Sequence, residues 1–369
     1  MKLNFTALGL LLLFVGFAVP QAFSQMCVPP PKGMISWWTG DGTTLDYFGR
    51  NDGLTTFPVA YASGEVADAF SFTGTQVVQV LQSASLEPAQ ITVDAWVNSP
   101  SSPGLARYVV SKGGLGDLES SYALYTGASG GLQFYVFDGT VVTLSPDAGA
   151  GIWDGKWHHV AGTYDQTAVR LFLDGAEVGT GTPATTPIAY DLTATIATND
   201  LFIGDYNPFC TSCLPHAFTG EVDEVELFGR ALPQERIAHI FKARQAGKCL
   251  PVKVDIDRDF RGDWRWDFDN KITVTIFGSP AFSAGEIVQT TLHLFPEDDR
   301  YHHARAEHCH LEDVNADTFP DLVCRFHAEE PRHRDHDETI LVIGRVLVPG
   351  GERTFFGSDS FDSGHDGHR

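Results

Sequence analysis

Residues Trp157–Gly175 read WHHVAGTYDQTAVRLFLDG. Two strand-like runs flank a polar break at Asp165–Thr167, and the second run ends in Asp174–Gly175. Strand side chains alternate with period two, so Val169, Leu171 and Leu173 point to one face and Arg170 and Phe172 to the other. Asp-Gly supplies the positive φ angles of a two-residue hairpin turn, so Ala176–Gly179 is expected to return antiparallel. The stretch is an antiparallel meander with one face on a core, and it holds no obvious nucleophile–base pair.

Outward from it the texture stays all-β. From Cys27 to about Phe228, short apolar runs alternate with Gly, Pro, Asn and Asp. The exception is Leu232–Arg244, LPQERIAHIFKAR, where Pro233 suits a first helical turn and Ile237, Ile240 and Phe241 fall at helical spacing. Leu250 and Pro251 mark a boundary. Beyond it Val252–Ile256, Ile272–Phe277, Thr290–Phe295, Leu322–Phe326 and Ile340–Val348 read as strands of a second, smaller β-sandwich domain over 250–356. The polar, Gly-rich tail 357–369 is expected to be disordered.

The 369 residues and 43% apolar content suit two folded units. Residues 1–24 combine an early lysine, a short apolar run and small residues at Ala22 and Ser24, the pattern of a cleaved secretory signal. No later segment reaches the ~20 apolar residues of a membrane span, so the expected location is secreted or at the cell surface. A formal charge of −22 argues against nucleic acid and anionic membranes, which recruit Lys and Arg, and favours divalent cations.

WHHVAGTYD, LFLDG and Phe218–Leu232 (FTGEVDEVELFGRAL), together with Trp37–Trp38, DYFGRND, Ala69–Gly74 and Ile91–Val97, resemble the motifs of LamG-like jelly-roll domains. These are concanavalin A-like sandwiches of secreted bacterial proteins, and the resemblance covers roughly residues 25–249. It implies a jelly-roll sandwich with its two ends close together, and hence a Cys27–Cys249 disulfide. In the chain-entropy model a loop that long stabilises by at most about 4–5 kcal/mol. Cys309 pairs with Cys324, and Cys210 and Cys213 form a local staple in a surface loop. The later HLEDVNADTFPDLVCRF segment resembles a C-terminal module of bacterial secreted proteins to which no activity is attached.

Asp313-Val-Asn315-Ala-Asp317-Thr-Phe319-Pro-Asp321 is the sharpest chemical motif. Oxygen side chains at alternating positions, a Phe319 carbonyl and a further acid are how a chain wraps calcium, which takes 6–8 oxygens. The spacing resembles the start of an EF-hand-like loop but has Thr318 at its sixth position and Cys324 at its twelfth. The alternative is an acidic turn whose aspartates cap backbone amides. The jelly-roll resemblance implies a second, structural calcium at Asp41, Asp46, Asn51 and Asp223. Regular strand parity would send Asp223 inward with Val225 and Leu227.

Glu221-Val-Asp223-Glu-Val-Glu226 resembles the acidic signature of laminarinase-like hydrolases, whose retaining members need two carboxyls ~5–5.5 Å apart. Glu226 would share a face with Glu221 only across a bulge, and Glu224 stands where those enzymes carry an apolar residue. The histidines crowded between His302 and His368 read as solvated surface, since nothing in their spacing fixes convergence on zinc. Arg261–Asp263 is a chance tripeptide. Trp37, Trp38, Trp96, Trp153 and Trp157 are candidate sugar platforms, with Trp38 and Trp96 assigned to the core. The loops Gly113–Ser121, Trp153–Lys156 and Tyr206–His216 are the better ligand sites. Together these imply a non-catalytic, calcium-stabilised recognition protein for extracellular glycans or glycoproteins. A structural or adhesive component binding protein partners is the alternative, with a laminarinase-like hydrolase third.

Overall fold

The computed structural model describes residues 27–54, 57, 59–114, 120–190, 198–209, 216–256, 271–296, 304–327 and 339–360. The hairpin read from sequence is present: Ala168–Leu173 pairs antiparallel with His158–Tyr164, Val169 opposite Tyr164 and Leu173 opposite Val160. Asp174 and Gly175 both take positive φ, 51° and 79°, and Ala176–Glu177 returns on the same strand. Val169 and Leu171 enter one core while Phe172 joins another on the opposite face.

Among the described residues the strands form three sheets. The first runs Ala176–Glu177, Ala168–Leu173, His158–Tyr164, Ile91–Asn98, Thr219–Phe228, Asp68–Thr73, Ala60–Ser63, with Met34–Trp38 also paired to Thr219–Phe228 and Thr182–Pro183 to Ala168–Leu173. The second runs Val142–Leu144, Leu132–Phe137, Tyr122–Thr126, Tyr108–Gly114, Thr198–Ile203, Val78–Val80, Gly53–Leu54. Residues of both meet in one core that includes Trp38, Phe70, Phe134, Tyr164 and Val225. This is the antiparallel sandwich expected of a concanavalin A-like jelly roll. The sheets approach closely at Gly162, where an added Cβ would stand 2.1 Å from Phe134 Cγ; only a residue with no side chain fits.

The helix Gln234–Ala243 covers the outer face of the first sheet. Ile237 and Ile240 pack on Ala161, Phe172 and Phe228. A 3₁₀ turn, Arg244–Ala246, leads the chain out of it.

The further β domain is built on one sheet, ordered Leu250–Pro251, Gly351–Ser360, Thr339–Val348, His293–Pro296, Ala304–Glu312, Asp321–His327, Lys271–Ile276, Val254–Ile256. Adjacent strand residues face opposite ways, and Trp37 and Trp38 use this to tie the units together. Trp38 lies in the sandwich core and Trp37 in the core of the C-terminal sheet. The Pro349–Gly350 turn wedges against the front domain so closely that a Cβ on Gly350 would meet Asp68 Oδ1 at 2.2 Å.

Two elements differ from expectation. Ala304–Glu312, with its charged sequence, is a strand whose Cys309 stands directly opposite Cys324 and is bonded to it. The final strand continues through Gly357–Ser360, where the polar composition predicts a disordered tail; backbone pairing with Thr339–Val342 holds it regardless of its polar side chains. Residues 361–369 and 1–26, which include the expected signal segment, lie outside the described residues. Among the described residues no helix is long and apolar enough to cross a membrane.

Candidate functional site

The acidic strand Thr219–Phe228 carries the first candidate. Its register on Ile91–Asn98 slips by one residue between Asp223, opposite Trp96, and Glu226, opposite Asp94. Glu224 takes φ 52° at this bulge. The extra residue reverses parity, which corrects the inward placement of Asp223: Val222, Val225 and Leu227 all face the sandwich core, and Asp223, Glu224 and Glu226 face outward beneath a roof of other elements.

That roof supplies cations. Arg353, from the last strand, donates to Asp41 Oδ2 at 2.8 Å and to both oxygens of Glu224 at 2.7 and 3.1 Å. Lys248 lies 3.5 Å from Glu224 Oε2 and is ion-paired to Glu226. Both cations stand over the Trp37 ring, at 5.4 Å for Lys248 and 5.0 Å for Arg353. His159 Nε2 lies 3.4 Å from Asp94 Oδ2 at the far end of the row. Every one of these groups is at most 8% exposed.

Five buried carboxyls therefore face two permanent cations, and the pKa values register the imbalance. Burial, with Glu224 alongside, pushes Asp223 well above the carboxylate range, and Val66 N–H at 2.8 Å only partly offsets this. Burial and neighbouring Asp94 do the same to Glu226. Burial raises Asp41 to about 6 despite Arg353. Burial opposes the charge on Lys248, but Glu226, Glu224 and Asp94 outweigh it and hold the ammonium above its ordinary range. A carboxyl raised on folding contributes stability that is full below its unfolded value and lost as pH rises through its folded value. For Asp41 that window runs from 3.8 to about 6, and Asp223 and Glu226 add the same sign. Thermal unfolding is expected to give a higher Tm at pH 5 than at pH 7.5, with Asp223→Asn flattening the slope. A Tm that falls steadily from pH 7.5 to 5 would contradict this.

Other candidates occupy separate places. Asp46 accepts four backbone N–H groups, from Trp37, Phe48, Arg50 and Asn51, and so organises its own loop. Asn51 donates to Ser36 and accepts from Ser85, while its carbonyl takes the Trp38 indole. Asp41 belongs to the Arg353 cluster and accepts Asp68 N–H. Among the described residues no group of three or more His, Cys, Asp or Glu is placed to hold a metal.

In the DVNADTFPD loop, Asp313 accepts from Asp317 and Thr318 N–H, Asn315 from Asp317 N–H, and Asp317 from Phe319 N–H. Asp321 is fully buried and takes Gly278 and Val314 N–H. The donor set is all oxygen, the kind a hard cation takes, and each of these oxygens retains a second lone pair.

The outer face of the second sheet carries tyrosines. Tyr135 alternates with the core residues Phe134 and Val136, and Ala123 with Tyr122 and Leu124. Tyr108, Tyr135 and Tyr206 are buried there, and Tyr125 is half-buried. His216 Nδ1 donates to the Ala106 carbonyl at 3.0 Å, and its buried Nε2 has no hydrogen-bond partner among the described residues. Ser121 Oγ also has no partner among the described residues. At the rim Phe209, 52% exposed, meets Phe57 at a tilt and Phe202 edge-on. Of the tryptophans, Trp38 and Trp153 lie in the sandwich core, Trp96 packs under Phe241, and Trp157 is half-buried.

Cys27 is bonded to Cys249, their Cα atoms 4.9 Å apart, and Cys309 to Cys324. Both suit an oxidising compartment. Cys210, Cys213, the Arg261–Asp263 tripeptide and most of the crowded histidines lie outside the described residues; His308 and His310 are surface residues of the Ala304–Glu312 strand.

Residues 72–238 match the model of the concanavalin A-like lectin/glucanases superfamily, Laminin_G_3. That segment spans most of both sandwich sheets and the start of the helix. No curated protein matches the chain in sequence. Among solved structures, domain 4 of AbnA, a GH43 extracellular arabinanase from Geobacillus stearothermophilus in complex with arabinotriose, is 17% identical, covering 56% of this chain and 96% of that one at a TM-score of 0.43. The binding domain of Paraclostridial Mosquitocidal Protein 1 is 11% identical over 86% of this chain and 75% of its own, TM-score 0.44. Trypanosoma rangeli sialidase is 16% identical over 58% of this chain, TM-score 0.41, and the match spans only 36% of the sialidase.

Sequence reasoning missed Arg353, Lys248, Asp94 and His159. Asp94 had left a trace, a lone carboxylate inside the apolar run ITVDAWV; a buried charge of that kind demands a partner.

Proposed function

We propose that this is a non-catalytic, extracellular recognition protein that binds carbohydrate or glycoprotein ligands through the jelly roll. The observation that supports this is the state of the acidic strand: Glu226 is fully buried and ion-paired to Lys248, which tells against it as the second carboxyl of a hydrolytic pair. The outer face of the second sheet, by contrast, offers an exposed rim aromatic at Phe209 and the half-buried Tyr125 beside two of the predicted ligand loops. Sugars present C–H faces to such rings. The exposed Leu105 and Val141 favour a second reading, in which a protein surface docks on the same sandwich.

Calcium belongs to the proposal as a stabiliser of the C-terminal domain. Asp313, Asn315, Asp317, the Phe319 carbonyl and Asp321 would converge on it only as it binds, offsetting the mutual repulsion of the carboxylates. A glycan array with the full chain, with calcium and with chelator, is expected to give specific binding that Phe209→Ala weakens. Calorimetry is expected to show calcium uptake that Asp313→Ala with Asp317→Ala abolishes. An array with no specific signal in calcium, or reducing-sugar release lost in Glu226→Gln, would overturn the recognition role; a flat calorimetric trace would remove calcium.

A further inference from the structure

Where the two domains meet there is a cleft of about 410 Å³, within the size range of small-molecule sites, which favour domain interfaces. One wall is the front-domain loop with Asp41, Thr43 and Tyr47; the other comes from the C-terminal domain, with Phe282 and Phe319 and with Glu286 at its exposed edge. Among the described residues none of the lining side chains is Lys, Arg or His. Arg353, the nearest cation to Asp41, is turned into the buried cluster and spent on Asp41 and Glu224.

We propose that this cleft is a binding site for a neutral, polyhydroxylated ligand of one or two sugar rings, separate from the jelly-roll face. Three features select that chemistry. Two carboxyl groups and several hydroxyls line it, which accept hydrogen bonds from ligand hydroxyls; Asp41 Oδ1 and Oδ2 each spend one lone pair, on Asp68 N–H and Arg353, and keep another. Aromatic rings and prolines supply the surfaces on which sugar C–H faces pack. The absence of a lining cation leaves an anionic ligand without a counter-charge, so carboxylated and phosphorylated sugars are disfavoured.

The walls are also held in place before any ligand arrives. Tyr47 Oη donates to the Pro251 carbonyl across the joint at 3.1 Å, Arg353 bridges the same two domains, and a Cβ on Gly42 would meet Pro349 Cγ at 2.9 Å. A preformed site loses little ordering entropy on binding, which suits a small ligand with few contacts.

The test is ligand-observed NMR on the full chain with lactose, maltose, cellobiose and arabinotriose as neutral probes and sialyllactose as the anionic control. At least one neutral probe is expected to bind better than sialyllactose. Ala281→Trp, which fills the cleft, and Ser283→Trp at its edge are each expected to weaken that binding at least about tenfold, with Tm unchanged in at least one of them. Glu286→Gln is expected to weaken it less. Binding lost in Phe209→Ala but retained in both tryptophan variants would assign the sugar to the jelly-roll face and remove the cleft proposal while leaving the recognition role intact. No neutral probe binding, or preference for sialyllactose, would overturn the proposal outright.

Discussion

Arg353→Met is expected to destabilise the protein by on the order of 3–5 kcal/mol, the cost of leaving buried carboxylates without their cation. The guanidinium is 2% exposed and contacts Asp41 and both oxygens of Glu224. It joins a strand of the C-terminal domain to a loop and a strand of the jelly roll, so its loss should open the joint as well as lower the urea midpoint. Limited proteolysis near Leu250 would report the first effect and equilibrium unfolding the second. Arg353→Lys should recover only part, because an ammonium cannot bond two carboxylates in the forked geometry seen here. Replacing the set together, Arg353→Met with Asp41→Leu and Glu224→Leu, should restore most of the loss, since an apolar core of similar volume needs no desolvated charge. A single variant within about 1 kcal/mol of the parent would mean that the joint is held by packing alone.

The sandwich was legible because its signals are local. Period-two alternation in Ala168–Leu173 and a turn at Asp174–Gly175 need only neighbouring residues, and both stand as read. The ionic row was not legible for the opposite reason. Asp41, Asp94, Glu224, Lys248 and Arg353 are spread over more than three hundred residues, and one inserted residue at the Glu224 bulge decides which way the acidic strand points. Parity counting cannot see a bulge, so Asp223 was sent to the wrong face. The Ala304–Glu312 strand was missed because its sequence lacks apolar alternation; a covalent bond to the opposite strand and pairing on its other edge hold it instead. What the candidate ligand faces share is the same property: they form from side chains that only the folded chain brings together.

Cys27→Ser with Cys249→Ser is expected to cost up to about 5 kcal/mol, the chain-entropy value for a closed loop spanning a sequence separation of 222. The bond does more than limit the unfolded chain. Val28 N–H donates to the Gly247 carbonyl and Cys249 N–H to the Val28 carbonyl, so the disulfide pins the backbone on both sides of Lys248. Lys248 is the cation paired with Glu226. Loosening that segment should let the ammonium withdraw and leave Glu226 facing Asp94 with no cation between them. Two consequences separate this from simple loss of a crosslink. The double-serine variant should show a steeper fall in Tm between pH 5 and pH 7.5 than the parent, because Glu226 then binds its proton more tightly still. Adding Lys248→Met to it should cost less than Lys248→Met alone, the two changes having removed one shared interaction. Cys309→Ser with Cys324→Ser closes a sequence separation of only 15 and should cost about 3 kcal/mol with no change in pH slope. Equal pH slopes in all three proteins, with strictly additive losses for Lys248→Met, would show that the disulfide acts on the unfolded chain and leaves the buried ion pair undisturbed.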